Sequence, residues 1–120
     1  MSENKKTVQQ YMDGFNATDH AKILDCLTDD VVWVMPGNYH HEGKVAFDRE
    51  IENPNFQGRP VIKIFKMIEE NEVVVAEGAV TCSFKNGDIL EAVFCDVFEM
   101  QDGKIKKLTS YLMQISTSKP

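Results

Sequence analysis

The sequence has little that would mark a secreted, membrane-bound or disulfide-rich protein. Its three cysteines are odd in number, widely spaced and set in apolar patterns, which argues against a disulfide framework or a zinc site and favours buried thiols in a reducing compartment. No apolar run approaches the roughly 20 residues that a membrane span needs. The polar residues 1–6 give no sign of a signal peptide. We therefore expect a cytoplasmic protein that does not bind membranes.

Basic charge is also scarce. The 120 residues include 13 lysines and arginines against 19 acidic residues, a net charge of -6. An acidic surface does not attract nucleic acid or anionic lipid, so neither is an expected partner. The length suits one compact domain over residues 1–120, and the composition, 42% hydrophobic and 27% charged, is that of a globular protein.

The first half of the chain has helical periodicity. Apolar residues recur at spacings of three, one and three between Val8 and Phe15, which predicts a helix over Lys5–Asn16. The elements expected next are a short helix that begins at Thr18 or Asp19 and stops at Thr28–Asp30, a strand over Val31–Met35, a turn at Pro36–Asn38, a helix over Gly43–Glu52 and a loop over Asn53–Pro60.

The second half of the chain predicts four long strands. They are expected at Val61–Ile68, Glu72–Phe84, Ile89–Met100 and Lys104–Ile115. Asn86-Gly87 and Asp102-Gly103 are hairpin signals, so these strands form an antiparallel meander, followed by a frayed tail at residues 117–120. Helices followed by a meander indicate an α+β fold, in which a curled sheet covered by three helices can enclose a pocket.

Asp96 is the most informative residue, because it lies in the apolar segment Ala92–Phe98. Strand alternation places Asp96 on the inner face, between Phe94 and Phe98. A buried carboxylate must be paired, reach a cavity or be held neutral by a raised pKa. A neutral carboxylic acid can donate a hydrogen bond to a developing oxyanion, which makes Asp96 a candidate catalytic residue.

The candidate walls of a pocket are aromatic and methionine side chains. Trp33 and Met35 alternate along their strand and share a face. The candidate ligand-binding residues are Phe15, Trp33, Met35, Phe47, Phe65, Phe94, Phe98 and Tyr111. Such a wall suits a small hydrophobic ligand, although each side chain alone is also typical of an ordinary core.

Two adjacent histidines, His40 and His41, are the candidate bases for proton transfer, since imidazole exchanges protons near neutral pH. They lie in the predicted loop over residues 36–43, where they could equally be exposed to solvent. The spacing of His40, His41 and Glu42 lacks the regularity of a metal site. We therefore expect no metal and no cofactor.

The order of these elements resembles the nuclear transport factor 2-like (NTF2-like) superfamily, and within it the SnoaL-like polyketide cyclases and the ketosteroid isomerases. The resemblance covers about Lys5–Ile115 and includes the segment Cys95–Ile105. It implies a cone-shaped fold with three N-terminal helices packed on a strongly curved, mainly antiparallel sheet. It also implies a cofactor-independent pocket for a hydrophobic carbonyl compound.

The resemblance also assigns residues. Tyr11, at the end of Val8-Gln9-Gln10-Tyr11, is similar to the isomerase tyrosine that donates to the enolate, and Asp96 is similar to its protonated aspartate. The position of the general base is Met35, which cannot take a proton, so steroid isomerisation is not expected. Isomerisation or aldol-type cyclisation remains one hypothesis.

The alternative is a ligand-binding or protein-interaction domain without catalysis, in which Tyr11 and Asp96 are a structural pair. The last strand is half apolar on both faces. That pattern predicts a homodimer through the outer face of the sheet.

Overall fold

The computed structural model describes residues 2–118, with side chains as far as residue 115. Its elements are the helices α1 (Glu3–Ala17), α2 (His20–Leu24) and α3 (Lys44–Ile51) and the strands β1 (Leu27–Met35), β2 (Tyr39–Glu42), β3 (Phe56–Glu70), β4 (Val73–Phe84), β5 (Ile89–Gln101) and β6 (Lys104–Ser118). The predicted α+β fold class is confirmed. Within the described range, no helix is both long enough and apolar enough to cross a membrane.

The sheet has six strands in the order β2-β1-β6-β5-β4-β3. Strands β3 to β6 form the predicted antiparallel meander, with Asn86-Gly87 and Asp102-Gly103 in the connections after β4 and β5. Strand β1 pairs with β6 in parallel, which makes the sheet mixed. Strand β1 therefore extends the meander beyond β6, and Trp33 of β1 lies next to that strand.

Several boundaries differ from the predictions because tertiary pairing extends the strands. The second helix ends at Leu24, and Leu27, predicted to be helical, begins β1 opposite Ile105. The predicted histidine loop contains strand β2, and β3 begins within the predicted loop over residues 53–60. In the predicted frayed tail, residues 117 and 118 pair with β5, while residues 119–120 lie outside the described part.

Helix α1 packs on the sheet and covers its edge strand. Val8, Tyr11 and Met12 on its inner face are buried. The Asn16 side chain at its C-terminal end donates to the Ile62 carbonyl oxygen (3.2 Å) and accepts from the Ile62 backbone N–H (2.7 Å). Because these are the bonds that a neighbouring strand would make, Asn16 satisfies the open edge of β3 at this point.

Helix α3 is fixed from two directions. Phe47 is fully buried, and its ring stacks on Trp33 with the centroids 4.4 Å apart. On its outer side, His20 of α2 lies 2.5 Å from carboxylate oxygens of both Asp48 and Glu52. These contacts hold the last turn of α3, which carries Glu50, against the end of β1.

Candidate functional site

A cavity of about 290 Å³ lies between the helices and the inner face of the sheet. Its walls are largely apolar, and four of the predicted ligand-binding residues border it: Phe15, Trp33, Met35 and Phe94. Val80, Cys82 and Leu90 complete the apolar surface from β4 and β5. A concave apolar space with a few polar groups is the usual form of a small-molecule site.

Two other predicted ligand-binding residues lie behind the wall of the cavity. Phe47 and Phe98 are completely buried, and neither side chain borders the cavity. Phe47 supports Trp33 by stacking, and the Phe98 ring lies 5.4 Å from the Tyr11 ring, edge to face. These two phenylalanines are core residues that hold the cavity-lining rings in place.

The structure places Phe65 and Tyr111 on the outer face, contrary to the prediction that they line the pocket. Strand pairing gives the reason, since directly opposite residues share a face. Asp96 is opposite Ser110, so Ser110 faces inward and Tyr111 outward. Phe65 is the unpaired residue of a bulge between Ile64 and Lys66 and is 61% exposed.

Asp96 borders the cavity from β5, as alternation predicted, and lies between Ala76 and Ser110 on the neighbouring strands. Burial raises the pKa of Asp96 from 3.8 to about 7, and a hydrogen bond with the Ser110 side chain opposes this rise. The Trp33 indole N–H donates to Ser110 Oγ (3.0 Å), so the serine hydroxyl keeps its own proton for Asp96. Near neutral pH much of Asp96 is therefore a neutral acid.

Tyr11 and Tyr39 bring two phenol groups to the same cavity. Burial raises the pKa of Tyr11 well above its ordinary value, and the nearby Asp96 raises it further. Burial also raises the pKa of Tyr39, with Glu50 and Asp96 as further causes. No hydrogen bond among the described residues joins Tyr11 to Asp96, so the two are separate groups facing one space. Both phenols stay protonated and can donate.

The two histidines differ in their surroundings because they alternate along β2. His41 is partly buried, and its Nε2 lies 2.9 Å from Glu50 Oε1. His40 is exposed, 3.3 Å from Glu42. Neither imidazole borders the cavity, but Glu50 does. A histidine base therefore stays a prediction. Two carboxylates border the cavity at this end, the largely buried Glu50 and the more exposed Glu52, which is paired with His20.

Glu50, Tyr39 and Ser110 also border the cavity and are not among the residues predicted from the sequence. Glu50 follows Phe47 by three residues in a helix, and such residues share a face. Ser110 lies opposite Asp96 only because the register of β5 and β6 shifts between Glu99 and Met100; uninterrupted pairing from the Asp102-Gly103 turn would place Thr109 there. No local pattern marks Tyr39, because the short strand that carries it forms only by pairing with β1. Within the described part of the chain, no three His, Cys, Asp or Glu side chains are grouped as metal ligands would be.

The chain matches the model of the SnoaL-like domain family over residues 8–108. No curated protein matches the chain. The family match includes Tyr11, Glu50 and Asp96, three of the polar residues that border the cavity.

Solved structures share the fold at low sequence identity. An NTF2-like protein of unknown function from Burkholderia pseudomallei is 23% identical, with a TM-score of 0.84, 94% of this chain covered and 92% of that chain. An LEH-like epoxide hydrolase from M. tuberculosis is 19% identical, with a TM-score of 0.82 and coverages of 92% and 83%. TerC, co-crystallised with polyporic acid, is 23% identical, with a TM-score of 0.82 and coverages of 91% and 90%. These similarities confirm the NTF2-like cone fold.

Proposed function

Because the chain belongs to the SnoaL-like domain family, we propose that its cavity binds a small, mainly apolar carbonyl compound and stabilises the enolate of that compound. The observation that carries this proposal is Asp96, an acid beside an apolar cavity whose pKa burial raises to about 7. Tyr11 supplies a second donor at the same surface. The structure of TerC with polyporic acid supports a small organic ligand for a cavity in this fold.

The chemistry follows from where charge develops. Removing a proton from the carbon next to a carbonyl places negative charge on the carbonyl oxygen. Donors already aimed at that oxygen in a water-poor site stabilise the charge strongly, since they need no reorganisation. Returning the proton to another carbon completes an isomerisation, and attack of the enolate on a second carbonyl is an aldol-type cyclisation. Neither reaction requires a metal or a cofactor.

The first test is the pH dependence of phenolate binding, with phenolates as mimics of an enolate. We expect 2,4-dinitrophenolate, which stays ionised throughout, to bind best below about pH 7 and to lose up to about tenfold in affinity per pH unit above it. The reason is that ionised Asp96 can only accept, and repels the anion. Isothermal titration calorimetry between about pH 5.5 and 9 measures the effect.

Two variants sharpen this test. Asp96→Asn keeps a donor of the same shape and should bind with no pH dependence, whereas Asp96→Leu should bind at least about tenfold more weakly at low pH because a hydrogen bond to a charged group is lost. Asp13→Asn, on the exposed side of α1, is the matched control. Undiminished binding by Asp96→Leu, or no binding by the wild type, would favour the alternative function, an interaction domain without enolate chemistry.

We also propose that the protein forms a homodimer through the outer face of the sheet. Phe65, Tyr111 and Met113 are more than half exposed there, and they border a depression of about 600 Å³. Contiguous exposed aromatic and methionine side chains are typical of an interface, and a two-fold axis lets one patch cover its own copy. The cavities would remain open on the opposite side.

The dimer is tested by mass in solution. Phe65→Lys combined with Met113→Lys should convert a particle of twice the chain mass into a monomer, because each interface would then bury unpaired charges. Val45→Lys is the control, since Val45 is an exposed apolar residue of α3, away from this face. Light scattering after size exclusion gives the masses. A wild-type monomer at tens of micromolar would contradict the proposal.

A further inference from the structure

We propose that Glu50 is the base that removes the proton from the bound ligand, and that His41 is the positioning residue that aims its carboxylate. This inference rests on the proposed function, because it names the proton acceptor for the same cavity. It differs from the sequence prediction, in which a histidine itself moved the proton.

The placement of Glu50 carries the inference. Its side chain is only 17% exposed and borders the cavity from the last turn of α3. Oε1 lies 2.9 Å from His41 Nε2, and Oε2 accepts a hydrogen bond from Asn53 Nδ2 (2.7 Å). Each oxygen has one partner, and a carboxylate has about four lone-pair sites, so each can still accept a proton from the ligand.

His41 is itself held in place. Its ring stacks on Tyr39, with centroids 4.6 Å apart and an interplanar angle of 20°, and meets Trp33 edge to face at 6.5 Å. Because a carboxylate only accepts, the Nε2 facing Glu50 carries a hydrogen. A fixed donor on one oxygen and Asn53 on the other leave the Glu50 carboxylate little freedom to rotate away from the cavity.

Asp96 and Glu50, two of the three acids that border the cavity, have different surroundings. Asp96 lies among apolar groups and Ser110, whereas Glu50 receives hydrogen bonds on both oxygens. Tyr39 connects the two regions, since the charges of both Glu50 and Asp96 disfavour its ionisation. A donor at one end of the cavity and a carboxylate held by two hydrogen bonds at the other divide the work into donor and base.

The reaction step balances without another reactant. A Glu50 oxygen takes the proton from the carbon next to the ligand carbonyl, and the electrons of the C–H bond form the C=C bond of the enolate. The carbonyl π electrons move to the oxygen, which accepts hydrogen bonds from Asp96 and Tyr11. Glu50 then returns a proton to carbon and is a carboxylate again.

The test uses 2-tetralone as an enolisable probe in D₂O, with loss of its α-proton signals followed by NMR. In the wild-type protein, Glu50 exchanges its proton with solvent and returns deuterium to the carbon. We expect Glu50→Gln to lower the rate of enzyme-catalysed exchange at least about 100-fold, the usual contribution of a general base. Affinity for 2,4-dinitrophenolate should not fall, because the donors to the oxygen remain and a negative charge near the anion is removed. Glu42→Gln, an exposed acid beside His40, is the matched control.

The positioning role of His41 requires its own readout. His41→Ala should lower kcat for exchange about tenfold with little change in KM, because the base is still present but less well aimed. His41→Gln, whose amide can donate to the same oxygen, should restore much of the rate. Unchanged kcat in His41→Ala would overturn this role.

The outcomes separate this inference from the proposed function. The base assignment would be overturned if the exchange rate of Glu50→Gln stayed within about threefold of the wild-type rate while Asp96→Leu lost exchange. The enolate site would remain intact in that case. Phenolate binding without any exchange by the wild type would also overturn the base and leave a binding protein. If the wild type binds no phenolate and exchanges nothing, the proposed function fails and the base fails with it.

Discussion

Gly78→Ala is expected to lower the free energy of unfolding by about 3 kcal/mol, near the upper end for overpacking a close contact. Gly78 is buried in β4, and a Cβ atom built there would lie 2.1 Å from the Lys63 carbonyl oxygen and 2.7 Å from Phe94 Cζ. Moving Phe94 alone does not relieve the clash, because the Lys63 oxygen belongs to the backbone of β3. The two strands must separate at the bulge that contains Phe65.

Urea unfolding followed by circular dichroism measures this change, and the melting temperature should fall by on the order of 10 °C. Thr81→Ala is the control, since Thr81 is exposed on the same strand and its loss should change stability by less than about 0.5 kcal/mol. An equal, small effect of the two substitutions would show that β3 does not approach Gly78 this closely.

Much of the fold could be predicted because local signals and strand pairing agree. The Asn-Gly and Asp-Gly turns mark where β4 and β6 connect to β5, and alternation then fixes the inner face of β5. Asp96 and Phe94 were therefore assigned to the cavity from the sequence alone, and the structure places both there. Uninterrupted pairing from the Asp102-Gly103 turn would put Tyr111 on the inner face, and the register shift between Glu99 and Met100 puts Ser110 there instead.

The remainder depended on contacts between distant segments. Strand β2 is four residues long and exists because it pairs with β1, which no local pattern indicates. Phe65 follows the inward-facing Ile64 and points outward, and the bulge there lets Met67 face inward again, which no local pattern indicates. Glu50 reaches the cavity because Phe47 and His20 hold α3 at a particular angle. Such placement is a property of tertiary packing.

Asp96→Asn is expected to stabilise the protein above neutral pH, although it alters the group on which the proposed function depends. Burial raises the pKa of Asp96 from 3.8 to about 7, so folding must keep the proton or bury a charge. Each pKa unit corresponds to about 1.4 kcal/mol, and the whole shift to about 4 kcal/mol. Solvent that reaches the cavity reduces this cost, and we expect a gain of about 2 kcal/mol.

The direction of the pH dependence follows from the raised pKa. Below 3.8, the ordinary pKa of Asp96, the carboxyl is protonated in both the folded and the unfolded chain and has no differential effect. As the pH rises, the unfolded chain ionises first, and the stability of the folded wild type falls until the pH passes about 7. The advantage of Asp96→Asn should therefore grow between about pH 4 and 7 and level off above that range.

Urea unfolding of the wild type and Asp96→Asn at about pH 5, 6.5 and 8 measures this divergence. Asp13→Asn, on the exposed surface of α1, should show no such growth with pH. Equal stabilities at all three pH values would mean that Asp96 ionises as easily in the folded chain as in the unfolded one, and it would then be a poor donor to an enolate. A growing difference would instead indicate that the fold tolerates a destabilising acid in its cavity, which is expected where a residue is kept for chemistry at the expense of stability.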